Sequence, residues 1–245
     1  MRKLCAILAT AMAVTSLPLV SFAAPAKPEP VFELHLKRHH RPGAPVIAVL
    51  QNVSDERQRI DTPWTITRAK NGEVVAQNHW SKGERWLAPD QTAIWEWDQR
   101  EGSYSSEPSP PGNEEERVRP GGYVLTVDRH DEALVRRFHI GRFFTLGFEG
   151  RDDTFTVFVN ERKPIKLMKA EAEAEDKTLV VSGIVRGESR YNREWSYTMG
   201  PGSIVLGEVF IEVCDGNPRY VERHKKQWLG ERWCPWSSYV AKIGR

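Results

Sequence analysis

Ser237 or Ser238 with His224 and Asp215 is the one nucleophile, base and orienting acid that fall within a short stretch of this chain. That trio is what acyl transfer by a serine hydrolase needs. No nucleophile-elbow motif surrounds the serines, and a Ser-Ser pair after Cys234-Pro235-Trp236 suits the cap of an element better than a reactive centre. His35, His39 and His40 form a second cluster, of a residue type whose neutral ring suits zinc or copper. On a strand only His35 and His39 share a face, Lys37 and Arg38 intervene, and no carboxylate or cysteine adjoins them. Glu149, Asp152 and Asp153 offer oxygen ligands for calcium, but their spacing fits no EF-hand loop and a charged turn is their default role. The sequence therefore assigns no catalytic residue, no metal site and no cofactor.

A contact surface is the competing chemistry. Arg219, Arg223, Lys225, Lys226 and Arg232 surround Val221, Trp228 and Leu229 in a basic amphipathic pattern. Trp195, Trp228, Trp233 and Trp236 join the four cations Arg219, Arg223, Lys225 and Lys226 as the expected binding residues. Trp233, Pro235 and Trp236 read first as structural, filling core volume and shielding a disulfide, with an exposed binding platform as the alternative.

The setting comes from the N-terminus. Met1-Arg2-Lys3, an apolar run from Leu4 to Val20 and the small residues of Ser21-Phe22-Ala23 read as a cleavable export signal over 1–23, followed by a linker over 24–30. Cys5 leaves with the signal. Cys214 and Cys234 remain, an even count in an oxidising compartment, which favours a disulfide over a thiol site. Removing Arg2 and Lys3 takes the formal charge from +2 to zero. A neutral mature chain has no electrostatic bias toward nucleic acid or an anionic membrane. With 245 residues, 40% of them apolar and 28% charged, the chain can bury a core in one or two domains but cannot be a polytopic membrane protein.

Two grammars follow. From Val31 to about Ile140, short alternating runs such as Phe32, Leu34 and Leu36 are separated by turn residues, and Asn71-Gly72 marks a hairpin. Seven or so strands predict an immunoglobulin-like sandwich over 31–140. Glu101 to Gly122, rich in Ser, Pro, Gly and Glu, predicts a long exposed loop. Val49-Leu50-Gln51-Asn52-Val53-Ser54-Asp55, Trp86-Leu87-Ala88-Pro89-Asp90, Trp95-Glu96-Trp97-Asp98 and Val118-Arg119-Pro120-Gly121-Gly122-Tyr123 together resemble the Ig-like fold of bacterial intracellular-proteinase-inhibitor domains. The resemblance implies the fold; inhibition through the 101–122 loop is an alternative function.

From 143 to 245 the pattern is α+β. Strands are expected at Phe144–Phe148, Thr154–Val159, Leu179–Val185, Trp195–Met199 and Ile204–Val213. One helix opens at Pro164 with Glu171 solvated, and another runs from Pro218 until Gly230 ends it. Glu212-Val213-Cys214-Asp215, Trp233-Cys234-Pro235-Trp236-Ser237-Ser238 and Tyr191-Asn192-Arg193-Glu194-Trp195-Ser196-Tyr197 resemble a domain of slime-mould-type calmodulin-binding proteins and their exported bacterial homologues. The resemblance implies a basic helix of the kind calmodulin grips. A helix tied at both ends by a Cys214–Cys234 bond opposes that mode.

The expectation is an exported, non-enzymatic binding protein of the periplasm or extracellular space: an all-β Ig-like sandwich followed by a small disulfide-pinned α+β domain. Its partner is a protein or peptide, with no nucleic acid and no membrane insertion after signal cleavage. A serine hydrolase is the remaining alternative.

Overall fold

The computed structural model describes residues 30–60, 64–78, 85–104, 117–128, 133–188 and 191–244. The expected export signal over 1–23, residues 24–29 of the expected linker and residues 105–116 of the expected loop lie outside them, while Gly102–Tyr104 of that loop forms a strand. Val31 to Arg245 form one compact unit, whose buried apolar side chains gather into two main clusters, Phe32 to Ile140 and Phe144 to Val240.

The first cluster is enclosed by β1 (Phe32–Leu36), β2 (His39–His40), β3 (Val46–Asn52), β4 (Gln58–Ile60), β5 (Trp64–Arg68), β6 (Val74–Asn78), β7 (Arg85–Leu87), β8 (Thr92–Trp97), β9 (Gly102–Tyr104), β10 (Gly121–Val127) and β11 (Leu134–Ile140). Side-chain alternation sets which face is buried: Val46, Ala48 and Leu50 on β3, Ala93, Trp95 and Trp97 on β8, and Tyr123, Leu125 and Val127 on β10 point inward. One sheet has the order β1-β3-β8 and the other β2-β11-β10-β5-β6-β9, while β4 and β7 pair separately. The two sheets form an all-β sandwich over a shared apolar core. The first strand changes sheets at Lys37-Arg38, since β1 pairs antiparallel with β3 and β2 pairs parallel with β11.

Two side chains lock the sandwich ends. Asn52 is fully buried; its Nδ2 donates to the carbonyls of Glu56 and Leu87 at 2.7 and 3.0 Å, and its Oδ1 accepts from Ser54. The Tyr123 hydroxyl donates to the carbonyl of Arg119 at the start of β10. Its ring stacks on Phe138 and meets the edge of Trp97. Burial raises the Tyr123 pKa to about 12, so it remains a hydrogen-bond donor.

The second cluster is built from β12 (Arg142–Phe148), β13 (Arg151–Val159), α1 (Arg162–Glu173), β14 (Val180–Gly187), β15 (Tyr197–Met199), β16 (Val205–Gly207), α2 (Pro218–Arg223), α3 (Lys225–Trp228), β17 (Arg232–Trp233) and β18 (Ser238–Ile243). One sheet has the order β13-β12-β18; in the other β14 is flanked by β15 and β16, and β17 also pairs with β14. Helix α1 begins two residues before the expected Pro164, whose missing N–H is harmless in a first turn. Glu171, expected in solvent, is buried, and its Oε1 accepts from Leu179 N at 3.0 Å where the chain returns toward β14. Lys177 Nζ closes the helix by donating to the carbonyls of Glu171, Ala172 and Ala174.

Three expected elements are shorter than their sequence pattern, and of these the strand expected from Trp195 begins at Tyr197. The strand expected over Ile204–Val213 is paired only at Val205–Gly207 and ends in a tight turn at Glu212–Cys214. The helix expected from Pro218 is broken at His224, whose backbone leaves helical geometry and whose Nδ1 lies 2.9 Å from the Tyr220 carbonyl.

An aromatic seam joins the two clusters. His39 and His139 stack at 5.9 Å, and the His39 ring packs 4.4 Å from Phe158, 5.5 Å from Tyr191 and 5.9 Å from Phe143. Asn160 Nδ2 lies 3.1 Å from His139 Nδ1. Gly141 sits where the chain passes between them, and a Cβ there would overlap the Val159 carbonyl oxygen. Among the described residues, no helix is long and apolar enough to cross a membrane.

Candidate functional site

The motif-rich C-terminal stretch folds around one covalent pin. Cys214 and Cys234 are disulfide-bonded with a Cα–Cα distance of 5.2 Å, and Cys234 N donates to Cys214 O at 2.8 Å. Both are buried against Val180 and Phe210. Asp215, one residue on, uses a single oxygen to accept from Gly216 N at 2.7 Å and Trp236 N at 2.9 Å. The bond and this carboxylate fasten the segments on either side of α2 and α3.

Trp233 fills the core beneath the pin. It is fully buried, stacks on Phe148, meets Phe155 and Tyr197 edge to face, and donates from Nε1 to Gly216 O at 2.8 Å. Trp195 is buried as well and donates to Thr154 O at 2.7 Å. These two tryptophans, expected as binding residues, are therefore supports that no partner can touch. Trp228 is half-buried and Trp236 exposed. Asn192 pairs with both backbone groups of Thr156, at 2.6 and 2.8 Å.

The four expected contact cations do not form one free face. Arg219 donates from Nε and Nη2 to Asp153 Oδ1 at 3.0 and 2.9 Å, and Asp153 is buried. Asp153 thus faces a guanidinium, and Glu149 and Asp152 are solvent-exposed, which leaves this turn without the convergent oxygens calcium takes. Lys225 Nζ donates to Ser196 Oγ at 2.7 Å, and that serine also binds Glu222. Arg223 reaches back to the Arg219 carbonyl at 3.4 Å, and Lys226 is exposed.

The structure also separates the Ser-His-Asp trio. Asp215 is engaged by Gly216 and Trp236, His224 by Tyr220, and Ser238 is buried on β18 opposite Phe148. Among the described residues no hydrogen bond joins the three. In the histidine cluster, His35 approaches Glu33 at 3.5 Å near solvent, His39 lies in the seam, and His40 Nε2 contacts the Lys37 carbonyl at 2.8 Å. Burial lowers the pKa of His40, and burial with the nearby Arg38 lowers that of His139.

A surface the sequence did not single out stands beside the pin. Val209, Ile211 and Val213 are 74%, 70% and 83% exposed, the highest values among the large apolar side chains described. Ile211 and Val213 border a cleft of about 310 Å³ whose other walls include Tyr220, Trp228 and Arg232. Tyr220, which lines the cleft, is itself 41% exposed. The alternation of Val209, Ile211 and Val213 was legible, but it read as a half-buried strand. Once β16 stops at Gly207, that same alternation faces solvent.

The fold and this site describe a β-rich protein whose C-terminal half is a disulfide-pinned module of mixed helix and strand. Residues 142–244 match the family model of the N-terminal domain of calmodulin-binding protein 74-like proteins, in agreement with the resemblance carried by the Cys214, Cys234 and Tyr191–Tyr197 motifs. Among curated proteins none matches the chain. Two solved structures share part of it: the Pseudomonas fluorescens alkylpurine DNA glycosylase AlkC bound to DNA containing an abasic site analog, and a β-glucosidase, EmGH1, from Erythrobacter marinus. The first is 14% identical over 45% of this chain and 30% of its own, with a TM-score of 0.27. The second is 11% identical over 44% of this chain and 15% of its own, with a TM-score of 0.26. At these scores neither bears on fold or function.

Proposed function

We propose that this is an exported, non-enzymatic binding protein in which an Ig-like domain over 31–140 carries, over 143–245, a contact module like that of the calmodulin-binding-protein family. The observation that carries the binding reading is the exposed apolar row Val209, Ile211 and Val213 beside a rigid, disulfide-held cleft. Exposed apolar side chains beside a cleft that Cys214 helps to line suit an apolar segment of a protein or peptide partner. Export is supported by the 1–23 sequence and by the buried disulfide, a bond that persists in oxidising compartments.

The Ig-like assignment is supported by three features. The orders β1-β3-β8 and β2-β11-β10-β5-β6 put the first strand in both sheets. Trp64 is buried on β5, and Tyr123 bonds backbone upstream of β10 as in the tyrosine corner of Ig domains. Capture of a helix by calmodulin is not the mode proposed. Helices α2 and α3 have six and four residues, and the segment holding them is closed by the disulfide.

The test is capture from envelope and culture-supernatant extracts, with wild-type protein and a Val209→Asp/Ile211→Asp/Val213→Asp variant compared at equal folding. A specific partner retained by wild type and lost by the variant supports the reading. Equal retention by both removes this surface from it.

A further inference from the structure

The N-terminal half carries a second concavity, remote in sequence from the C-terminal module. A groove of about 780 Å³ opens where the first strand switches sheets, within the volume range of ligand sites. Its polar lining is basic: Lys37, Arg41 and Arg136 stand beside the apolar Leu36, Ile47 and Val49, and no lining residue is an aspartate or glutamate. Among the described residues no carboxylate pairs with Lys37, Arg41 or Arg136. The acids nearby in register are occupied or outside the lining: Glu33 approaches His35, and Glu96 sits opposite Ile47 on β8.

Different bonds tie the chain at the three cations. Arg41 lies on a turn tied to the buried Gln99, whose Nε2 donates to the carbonyls of Arg41 and Ala44 and whose Oε1 accepts from Gly43 N at 2.8 Å. Gln99 does this from a left-handed backbone, with φ at +67°, a conformation a non-glycine residue adopts rarely and at a cost. Lys37 is fixed through its carbonyl by the buried His40 ring. Arg136 crosses from β11, donating from Nε to Leu34 O at 2.9 Å and from Nη1 to Val135 O at 3.1 Å. These bonds fix the Arg136 guanidinium and the backbone from which Lys37 and Arg41 extend.

We infer that this groove binds an anionic amphiphile, with Lys37, Arg41 and Arg136 taking the phosphate or carboxylate head and Leu36, Ile47 and Val49 the apolar chain. Guanidinium forks match the two oxygens of such a head, and half-exposed Ile47 supplies apolar surface that ligand burial would remove from water.

The experiment titrates full-length mature protein with decyl phosphate below its micelle-forming concentration, followed by calorimetry. Inorganic phosphate and decyltrimethylammonium are run in parallel. Decyl phosphate binds, added salt weakens it, and Lys37→Gln, Arg41→Gln and Arg136→Gln each weaken it about three- to fivefold. Ile47→Ser, exposed and harmless to folding, weakens the alkyl ligand and leaves any phosphate binding unchanged. Binding of the alkyl cation as tightly as the anion overturns the inference, as does unaltered binding by the three charge variants. Inorganic phosphate binding as tightly as decyl phosphate removes the apolar half of the site and overturns the amphiphile assignment.

Discussion

Arg219 and Asp153 meet through two hydrogen bonds to one carboxylate oxygen, at 2.9 and 3.0 Å, and so clamp the start of α2 onto β13. The carboxylate is buried while the arginine side chain is 68% exposed, so water screens half of the pair. Arg219→Ala would leave Asp153 only the longer contact to Arg151, at 3.9 Å. The expected loss is about 1–2 kcal/mol, below the figure for a fully buried pair because of that exposure. Chemical denaturation measures it, and Arg219→Lys should recover only part, since an ammonium lacks the fork.

The disulfide should matter more. Cys214 and Cys234 close a loop of 20 residues, and a double serine variant should lose about 3 kcal/mol in the chain-entropy account. Reductant added to wild type should reproduce the loss seen by denaturant unfolding. If α2, α3 and the cleft are held by the pin, partner capture falls with it.

Much of this was legible in the sequence, for physical reasons that can be named. Alternation of Phe32 and Leu34 with Glu33 and His35 specified the buried face of β1, and Asn71-Gly72 specified the β5–β6 turn, whereas the continuous apolar run Val46–Leu50 left its buried face open. Cys214 and Cys234, the two cysteines outside the expected export signal, favoured the bond that the structure shows. What stayed hidden depends on neighbours distant in the chain. Glu171 reads as a solvent-facing helical acid until Leu179 N returns to it. Val209 to Val213 reads as the end of a strand until pairing stops at Gly207. Trp195 and Trp233 carry no periodic signal that separates contact from core, and packing against Thr154, Phe155 and Tyr197 places both in the core.

Acid should weaken the fold through the histidines near the seam. The folded pKa values of His40 and His139 lie below the ordinary 6.5, so each favours the native state fully above that pH, and the contribution is lost as pH falls through the folded value. Positive neighbours Lys37 and Arg38 act in the same direction. Thermal melting from about pH 8 to about pH 5 should show a falling midpoint. A His139→Gln variant should flatten that slope; an unchanged slope would remove His139 as its source.

Gly141 has no room for a side chain. Alanine there drives Cβ into the Val159 carbonyl oxygen, a backbone atom that cannot rotate away. The expected loss is about 1–3 kcal/mol as the seam shifts. Denaturant unfolding of Gly141→Ala checks it, with Gly150→Ala as a control for backbone conformation, since that glycine has φ at +66° and open space around it.

The most direct test concerns Val209, Ile211 and Val213. Because all three are exposed, replacing them with aspartate should change stability by no more than about 0.5 kcal/mol each. Equilibrium unfolding and quantitative capture on the same wild-type and triple-variant preparations decide the matter. The account predicts near-equal stability with loss of the captured partner. A variant that is equally stable and still retains that partner would contradict it.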